Sequence, residues 1–312
     1  MLIFRDLTEA PSPTAVALGY FDGVHLGHKA VIKAAVECKK EGLIPAVFTF
    51  SSTPKRGTEQ SQLTSFDEKV RIFEQIGVEI LYIIDFEILR NKTPDEFVGE
   101  VLKKIFRAEK VFCGYNYHFG KDGKATGDDL TRICDKYGIK ASVKKPVKLG
   151  NEYVSSTKIR EYLKSGDIVN ANKMLGYDFG IVSESVEGRH IGTAMNTPTI
   201  NQNFESNKIL PRFGVYASEV FVDGERYIGV TNIGVKPTIA EGNAPNCETW
   251  MPLYNGGELY GKRVEVRLAE FIRPEKKFGS LSELEKAIKH DGETAVKIVN
   301  FLRSVSASQN EL

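Results

Sequence analysis

Short apolar runs alternate with helical repeats along the first half of the chain. Residues 14–19 and 45–50 are continuous apolar runs, which are typical of strands buried on both faces of a parallel sheet. Between them, residues 27–41 carry apolar side chains at helical spacing. Further strands are predicted over residues 79–84 and 110–113. Strands separated by helices indicate βαβ units, so we predict an α/β domain with a mostly parallel sheet.

Two segments of this half carry the signature of a helix start. Ser65 with Glu68, and Thr93 with Glu96, have the spacing of a capping box, in which each side chain bonds the other residue's backbone N–H. Pro94 occupies the first helical position, where a missing N–H has no cost. Helices are therefore predicted to begin next to residues 65 and 93.

The pattern changes near residues 176–180, and β-type segments then crowd together. They cover residues 214–222, 226–232, 247–253 and 263–268. Asp223 and Gly224 between the first two favour a hairpin, because its turn needs positive φ. Short strands of this kind predict a small antiparallel barrel or sandwich, followed by a terminal helix over residues 281–303. We predict two domains, residues 1–178 and 179–312.

Composition narrows the class of protein. A chain of 312 residues with a formal net charge of +1 lacks the basic excess typical of nucleic-acid binding, so no nucleic-acid partner is expected. The four scattered cysteines have no CxxC spacing, which favours a reducing compartment. The N-terminus lacks a signal-peptide core, and no apolar run is long enough for a membrane span. We expect a cytoplasmic protein with no membrane partner; the oligomeric state is left open.

The most informative stretch is a glycine-rich turn that follows the first predicted strand and opens a helix. Gly19, Gly23 and Gly27 allow close approach of a ligand to the backbone, and the helix N-terminus offers free N–H groups to a phosphate. His25 and His28 are one helical turn apart, so both imidazoles face the same direction and suit one phosphoryl group. The alternative is a pair of surface or metal-binding histidines.

A second helix start with candidate phosphate ligands lies at residues 155–160, and it is cationic. Ser155 or Ser156 suits the cap, and Thr157, Lys158 and Arg160 follow it, so hydroxyls, N–H groups and two cations meet as in a clamp for ATP phosphates. Taken alone, such a segment is more often only a helix cap. Asn116, taken alone, is more often a turn residue than a ligand.

These motifs resemble, in order, those of bacterial bifunctional riboflavin kinase/FAD synthetases. Residues 19–28 (GYFDGVHLGH) resemble the GxFDGxHxGH signature of the HxGH nucleotidyltransferases, residues 113–120 (CGYNYHFG) the GxNFxFG block, and residues 155–160 (SSTKIR) the SSTxIR block. The resemblance implies a Rossmann-like domain with catalytic His25 and His28. It also implies that ATP and flavin bind Gly19, Phe21, Asp22, Gly23, Gly27, Asn116, Ser155, Ser156, Thr157, Lys158 and Arg160. Residues 51–55 (SSTPK) lack the histidine that the family often carries there, and Lys55 or Arg56 would serve the phosphates instead.

The second half resembles the riboflavin kinase module of the same family. Residues 198–201 (PTIN) resemble its PTxN signature, and residues 213–217, 232–238 and 248–249 resemble its GVYA, NIGxxPT and ET segments. The resemblance implies a β-barrel in which Thr199 and Asn201 bind Mg²⁺ and Glu248 is the general base. Gly188, Gly192 and Pro198 are implied to bind ATP or flavin. Without the resemblance, Glu248 is one acidic residue among 41.

The expected function is flavin cofactor synthesis with Mg²⁺: ATP phosphorylates riboflavin to FMN, and a second ATP adenylylates FMN to FAD. Residues 192–198 (GTAMNTP) depart from the family's GRTxGxPT loop, because the arginine and second glycine are missing. Asn196 tolerates left-handed backbone in place of that glycine, and Arg189 lies near the missing cation. Two alternatives stay open here: an adenylyltransferase with a weak or inactive kinase module, and a non-catalytic flavin-binding regulator.

Overall fold

The computed structural model describes residues 1–51, 61–186, 199–235, 245–257 and 259–310, with only the backbone over 306–310. The chain divides into two compact units, Met1–Ser156 and Thr157–Leu312. This division of contacts does not test where the two functions divide, so the predicted functional boundary between residues 178 and 179 stays a prediction.

The first unit contains a parallel six-stranded sheet in the order β1-β4-β3-β2-β5-β6. The strands are β1 (Leu2–Phe4), β2 (Thr14–Leu18), β3 (Ile44–Phe50), β4 (Ile80–Ile84), β5 (Ala108–Gly114) and β6 (Lys140–Lys144). A small antiparallel pair, β7 (Lys148–Leu149) and β8 (Glu152–Tyr153), follows. From β2 the chain adds β3 and β4 on one side and β5 and β6 on the other, so the strand order reverses between β2 and β5. The predicted parallel sheet is confirmed.

Helices cover both faces of this sheet. They are α1 (Leu26–Glu37), which ends in a 3₁₀ turn over Cys38–Glu41, then α2 (Phe66–Ile76), α3 (Phe86–Leu89), α4 (Pro94–Glu96) and α5 (Gly127–Lys136). From α4 the chain runs on through a π-type helix, Phe97–Ile105, and a 3₁₀ turn lies at Lys121–Gly123. Both predicted capping boxes are present, and a third joins Thr126 to Asp129.

The core of the first unit follows from the alternation of side chains along β2. Ala15 and Ala17 face the cluster that contains Val31 of α1, whereas Val16 and Leu18 face the cluster on the other side of the sheet. All of β2 is buried. A central strand buried on both faces therefore carries the turn that follows it in a fixed position.

The second unit contains an antiparallel six-stranded sheet in the order β10-β13-β12-β11-β14-β9. Its strands are β9 (Gly180–Glu184), β10 (Thr199–Asn203), β11 (Gly214–Val222), β12 (Glu225–Val235), β13 (Pro245–Trp250) and β14 (Arg263–Arg273). The bridge between Val186 and Asn201 joins the two edges, so the sheet is nearly a closed barrel. The predicted antiparallel barrel with a terminal helix is confirmed.

Among its described residues this unit also contains the helices α6 (Ser156–Ser165), which starts at the end of the first unit, α7 (Ile168–Leu175) and α8 (Leu281–Asn310). The helix α8 packs against the sheet through an apolar cluster. The sheet contributes Val215, Ala217 and Val230, and the helix contributes Ala295 and Val299. Asp223 and Gly224 both have positive φ, 51° and 83°, as the predicted hairpin requires.

One predicted strand end is wrong. Residues 247–253 were expected to be extended throughout, but β13 ends at Trp250. Pro252 has no N–H to continue the ladder, and the N–H of Tyr254 bonds the carbonyl of Met251 (3.1 Å) to close a turn. In the part of the chain that the structure describes, no helix is long and apolar enough to cross a membrane.

Candidate functional site

The turn between β2 and α1 lies at the carboxyl edge of the parallel sheet, where the strand order reverses. Open α/β sheets bind ligands at this point. The turn is tight: Phe21, Gly23 and Val24 have φ of 54°, 80° and 36°. Positive φ is rare for a β-branched residue, and such backbone persists only where its surroundings fix it. Gly19 is required, because a Cβ there would lie 2.8 Å from the ring of Phe21.

His25 and His28 form a stacked pair at the start of α1. Their ring centroids are 3.6 Å apart with an interplanar angle of 16°. His25 is the N-cap residue, and its Nδ1 accepts the backbone N–H of His28 (3.3 Å). Gly27 leaves room for this ring, since a Cβ would come within 3.1 Å of its Cε1. The edge of Phe21 contacts His28, with ring centroids 5.3 Å apart.

Burial keeps this pair neutral near pH 7. It lowers the pKa of His25 from 6.5 to about 4. The pKa of His28 is also well below its ordinary value, because of burial first and then the charges of His25 and Lys69. Nδ1 of His28 is buried, and among the described residues no group hydrogen-bonds it. Two imidazoles in this stack cannot both carry charge without repulsion, which agrees with these shifts.

Residues 63–69, which lead into α2 and form its first turn, hydrogen-bond the β2–α1 turn. The sequence analysis did not predict these contacts. The N–H of Leu63 donates to Oδ1 of Asp22 (2.9 Å), and Oγ1 of Thr64 accepts the N–H of Gly23 (3.2 Å). Nζ of Lys69 donates to the carbonyl of Tyr20 (3.2 Å). These contacts join residues about 40 to 50 positions apart, so no local pattern announces them. The one signal was a lysine on the buried side of a predicted helix.

Asp22 and Phe21, both expected to bind ligand, are buried in the structure at 5% and 2% exposure. The carboxylate of Asp22 is occupied by Leu63, and its carbonyl accepts Oγ of Ser156 (3.0 Å). Ser156 thus ties the end of the first unit to the turn rather than serving as a helix cap. The structure therefore brings Gly19, Gly23, His25 and Ser156 together with these two residues.

The other residues predicted for this site lie at several places. Asn116 is exposed just beyond β5, whose Cys113 pairs with Leu18 of β2, so it borders the point of strand reversal. Lys158 and Arg160 lie further along α6, in the second unit. Nζ of Lys158 is 3.5 Å from the carboxylate of Glu161. Thr157 is exposed and Ser155 is half-buried. Gly188, Gly192 and Pro198 lie outside the described residues, as do Lys55, Arg56, Arg189 and Asn196.

A second polar site lies on three neighbouring strands of the antiparallel sheet. Asn201 of β10 is paired with Glu248 of β13, and Glu248 is paired with Asn232 of β12. Directly paired residues point to the same face of a sheet, so the three side chains form a row. Thr199, two residues before Asn201, extends the row on the same face. The structure thus brings the predicted Thr199, Asn201 and Glu248 together.

Two further residues shape this row. Nδ2 of Asn246 donates to Oδ1 of Asn201 (3.2 Å), and both amides are buried. Nδ2 of Asn232 lies 3.4 Å from Oε1 of Glu275. Gly234 makes room for that carboxylate, because a Cβ would lie 2.1 Å from the same oxygen. Sequence reasoning missed Asn246 and the side-chain role of Asn232, since a single asparagine in a strand has no distinctive pattern.

Behind the row, the interior of the near-barrel holds a chain of buried hydroxyls. Ser218 and Thr231 are 2.7 Å apart, and Thr231 and Thr249 are 2.9 Å apart. Each bonds another, so none of the three is left unsatisfied in the interior. This chain links β11, β12 and β13 and fixes the register in which Glu248 faces its neighbours.

Comparison with known proteins finds a family match for each half of the chain. A sequence model of FAD synthetase matches residues 7–158, and one of riboflavin kinase matches residues 175–299. The bifunctional riboflavin kinase/FMN adenylyltransferase of Bacillus subtilis is 33% identical over 95% of this chain and 96% of its own length. The chain belongs to the bifunctional riboflavin kinase/FMN adenylyltransferase family. The predicted bifunctional enzyme, with an FAD synthetase domain and a riboflavin kinase domain, is confirmed.

Other relatives cover both domains of this family member. The Escherichia coli protein of the same name is 31% identical over 93% of this chain and 95% of its own length. A crystal structure described as a macrolide-efflux protein from Streptococcus pneumoniae superposes with a TM-score of 0.85 at 28% identity, covering 94% of this chain and 98% of that one. The fold that the two proteins share therefore extends over both domains. The efflux activity in that description is said of the Streptococcus pneumoniae protein only.

Proposed function

We propose that this chain makes FAD from riboflavin in two steps at two separate sites. The row of Thr199, Asn201 and Glu248 phosphorylates riboflavin, and the turn that carries His25 and His28 adenylylates the resulting FMN. The substrates are ATP, riboflavin and FMN, and the functional division falls between residues 178 and 179. We place the enzyme in the cytoplasm, where ATP is abundant; all four of its cysteines are unpaired and buried, which suits a reducing compartment.

In adenylyl transfer, a phosphate oxygen of FMN attacks the α-phosphorus of ATP. The new P–O bond forms as the bond to the bridging α–β oxygen breaks, and pyrophosphate leaves. Nδ1 of His25 accepts a backbone N–H, so the neutral ring carries its proton on Nε2 and donates from there. The imidazole N–H groups and the start of α1 stabilise the charge on the reacting phosphate, and no covalent intermediate is needed.

The stacked histidine pair carries this proposal. The site stacks a buried His25 on a half-buried His28 whose buried Nδ1 lacks a partner among the described residues, and this is costly for stability alone. An incoming phosphate oxygen supplies the acceptor that such a site needs. A pair kept only for packing would instead have both rings satisfied or replaced by apolar side chains.

In phosphoryl transfer, the terminal ribityl hydroxyl of riboflavin attacks the γ-phosphorus of ATP. Its proton goes to the carboxylate of Glu248, the bond from the γ-phosphorus to the β–γ bridging oxygen breaks, and ADP leaves. Glu248 is half-buried, with Asn201 and Asn232 on either side, so its position is fixed while one side stays accessible. Catalysis then depends on the placement of this carboxylate beside the hydroxyl.

The donor set of the row fits Mg²⁺. Thr199 and Asn201 offer a hydroxyl and an amide oxygen, both hard ligands, beside the carboxylate of Glu248. Oδ1 of Asn201 accepts Nδ2 of Asn246, which fixes the orientation of this amide in the row. When bound, the ion supplies charge neutralisation on the ATP phosphates.

Chromatography of the products tests the two-site proposal. Riboflavin or FMN is incubated with ATP and Mg²⁺ and with wild type, His28→Ala or Glu248→Ala. We expect His28→Ala to accumulate FMN without FAD, because only the second step loses its phosphate ligand. Glu248→Ala should leave riboflavin unconverted and still turn supplied FMN into FAD.

Matched substitutions at exposed positions serve as controls. His290→Ala on α8 and Glu225→Ala at the start of β12 remove the same side-chain types at exposed positions and should leave both products unchanged. One substitution that abolished both steps in a folded protein would contradict two separate sites. FMN formed from riboflavin by the wild type would exclude an inactive kinase module.

A further inference from the structure

Lys69 is a buried lysine beside the histidine pair. It lies in α2, and only 6% of its surface is exposed. Lysine is rarely buried to this extent without a role or a partner. Its helix begins at a complete capping box between Ser65 and Glu68, which fixes where the lysine enters the site.

The ammonium group of Lys69 is aimed at the turn. Its Nζ donates to the carbonyl of Tyr20 (3.2 Å) and lies 4.5 Å from the centroid of the Tyr20 ring. The same carbonyl accepts Oγ1 of Thr49 (3.0 Å), and the Tyr20 hydroxyl accepts Nε2 of Gln62 (3.1 Å). Tyr20 is thus held from β3, from α2 and from the segment before α2.

These contacts explain how the turn keeps its unusual backbone. Tyr20 immediately precedes Phe21, which with Val24 is one of the turn's two non-glycine residues with positive φ. Such conformations are strained and need surrounding contacts to persist. A carbonyl fixed by a charged donor is held more firmly than one bonded by a neutral group alone.

We propose that Lys69 is a positioning residue for adenylyl transfer, an inference that rests on the proposed function. Its ammonium group fixes the Tyr20 carbonyl and thereby the direction of His25 and His28. Lys69 acts through the backbone of the turn. A neutral side chain of the same length would fill the space without holding the carbonyl, and it would also remove a positive charge from the surroundings of His28.

The charge provides a readout that packing does not. Among the described residues, the titratable groups facing His28 are His25 on its own helix and Lys69 on α2, with Asp22 adjoining Lys69. The charges of His25 and Lys69 both lower the pKa of His28, after burial. Removal of the ammonium group therefore raises the pKa of His28 and moves the acid limb of adenylyl transfer to higher pH.

The test compares Lys69→Met with wild type in the full chain. We expect kcat for FAD formation from FMN to fall roughly tenfold to a hundredfold, with the KM for ATP close to wild type. The acid limb of the pH profile should move upward, as should the titration of His28 followed by NMR. Lys69→Arg keeps the charge and should keep the acid limb in place with partial recovery of kcat.

Two internal controls separate positioning from general damage. Riboflavin kinase activity of the same chain should be unchanged in Lys69→Met, and Lys33→Met, at an exposed position of α1, should alter neither activity. Thr49→Val removes the other bond to the Tyr20 carbonyl without changing charge, so it should lower kcat and leave the pH profile unmoved.

Several outcomes would overturn the proposal. They are an unchanged kcat in Lys69→Met, a pH profile that superimposes on wild type, or an equal loss of both activities. If Lys69→Met does not fold, Lys69→Gln with the same readouts decides. A wild type that makes no FAD from FMN would refute the proposed function itself, which is a different result from a Lys69 variant without effect.

Discussion

Burial of His25 makes stability depend on pH in a defined window. The folded pKa is about 4 and the ordinary value is 6.5, so the unfolded chain takes up a proton between these values while the folded chain does not. The stability that the neutral ring contributes is present above pH 6.5 and is lost as the pH falls toward 4. His28 acts in the same direction, because its pKa is also lowered.

We therefore expect the free energy of unfolding to fall by up to about 3 kcal/mol from His25 between pH 6.5 and 4. Urea unfolding at pH 7 and at pH 4.5, for wild type and His25→Gln, measures this difference. In His25→Gln, the difference in unfolding free energy between the two pH values should be smaller than in wild type. The part of the difference that is due to His28 should remain. Equal slopes in both proteins would show that His25 titrates in the folded state as it does in water.

At the residue scale, the sequence predicted the side chains that belong to one continuous motif. His25, His28 and the glycines around them are read from ten consecutive residues. Lys69 was missed because its partner, Tyr20, is 49 positions away. Asn246 was missed for a similar reason: its contact with Asn201 depends on the pairing of β10 with β13. Contacts that fold topology creates have no local signature.

At the element scale, ion pairs as well as apolar packing attach the long helix α8 to the sheet: Asp291 pairs with Arg273, and Arg303 pairs with Glu219 of β11. Asp291 is 2% exposed and accepts hydrogen bonds from Nε (3.0 Å) and Nη2 (2.7 Å) of Arg273, at the end of β14. Loss of one partner from a buried pair leaves the other charge without compensation, which costs more than the pair contributes. Because Arg273 is a quarter exposed, water can solvate its guanidinium when Asp291 is removed, and this reduces the destabilisation.

We expect Asp291→Ala to destabilise the protein by about 3 kcal/mol, the low end of the range for buried pairs. Thermal unfolding measures the shift. Glu285→Ala on the same helix removes an exposed carboxylate that pairs with Lys289, and it should change Tm far less. Equal shifts for the two variants would mean that the pair with Arg273 does not hold the helix.

Among the elements, those with a clear hydrophobic period were predicted and those without one were not. β2 and β3 are apolar except for one threonine each, and the helix starts at Ser65 and Thr93 carry capping boxes. By contrast, β10 reads TINQN, and three of its residues are nevertheless buried. Its buried polar side chains bond distant strands: Nε2 of Gln202 donates to the carbonyl of Val264 (2.8 Å), and Oδ1 of Asn201 accepts Nδ2 of Asn246 (3.2 Å). Such a strand is defined by its neighbours rather than by its own period.

At the scale of the whole molecule, the sequence predicted two sheets of different type, because periodicity and turn residues distinguish parallel from antiparallel strands. It did not predict strand order. β9 pairs with β14 about 80 residues later, and β1 pairs with β4 across β2 and β3 in the sequence. Pairings at this separation depend on packing of the complete domain, which single-strand patterns do not contain.

The division between the two functions raises a question that fragments can answer. The predicted functional boundary follows residue 178, whereas the compact units divide after Ser156. The helix α7 lies between these points and packs within the second unit, with Ile168, Met174 and Leu175 buried. Nδ2 of Asn172 donates to the carbonyl of Leu268 on β14 (2.8 Å), and its Oδ1 accepts the N–H of Phe179 (2.8 Å).

We expect residues 157–312 to unfold at a higher temperature than residues 179–312, because the shorter fragment loses α7 and exposes the surface that it covers. Residues 1–178 should adenylylate FMN, whereas residues 1–156 should not, since they lack Lys158 and Arg160, which the family resemblance assigns to the ATP phosphates. Circular dichroism and the two product assays measure these differences. Equal melting of the two C-terminal fragments, or FAD formed by residues 1–156, would contradict this view. With these results, α7 would belong to the second unit through its buried apolar face, and the cut after residue 178 would weaken the C-terminal fragment.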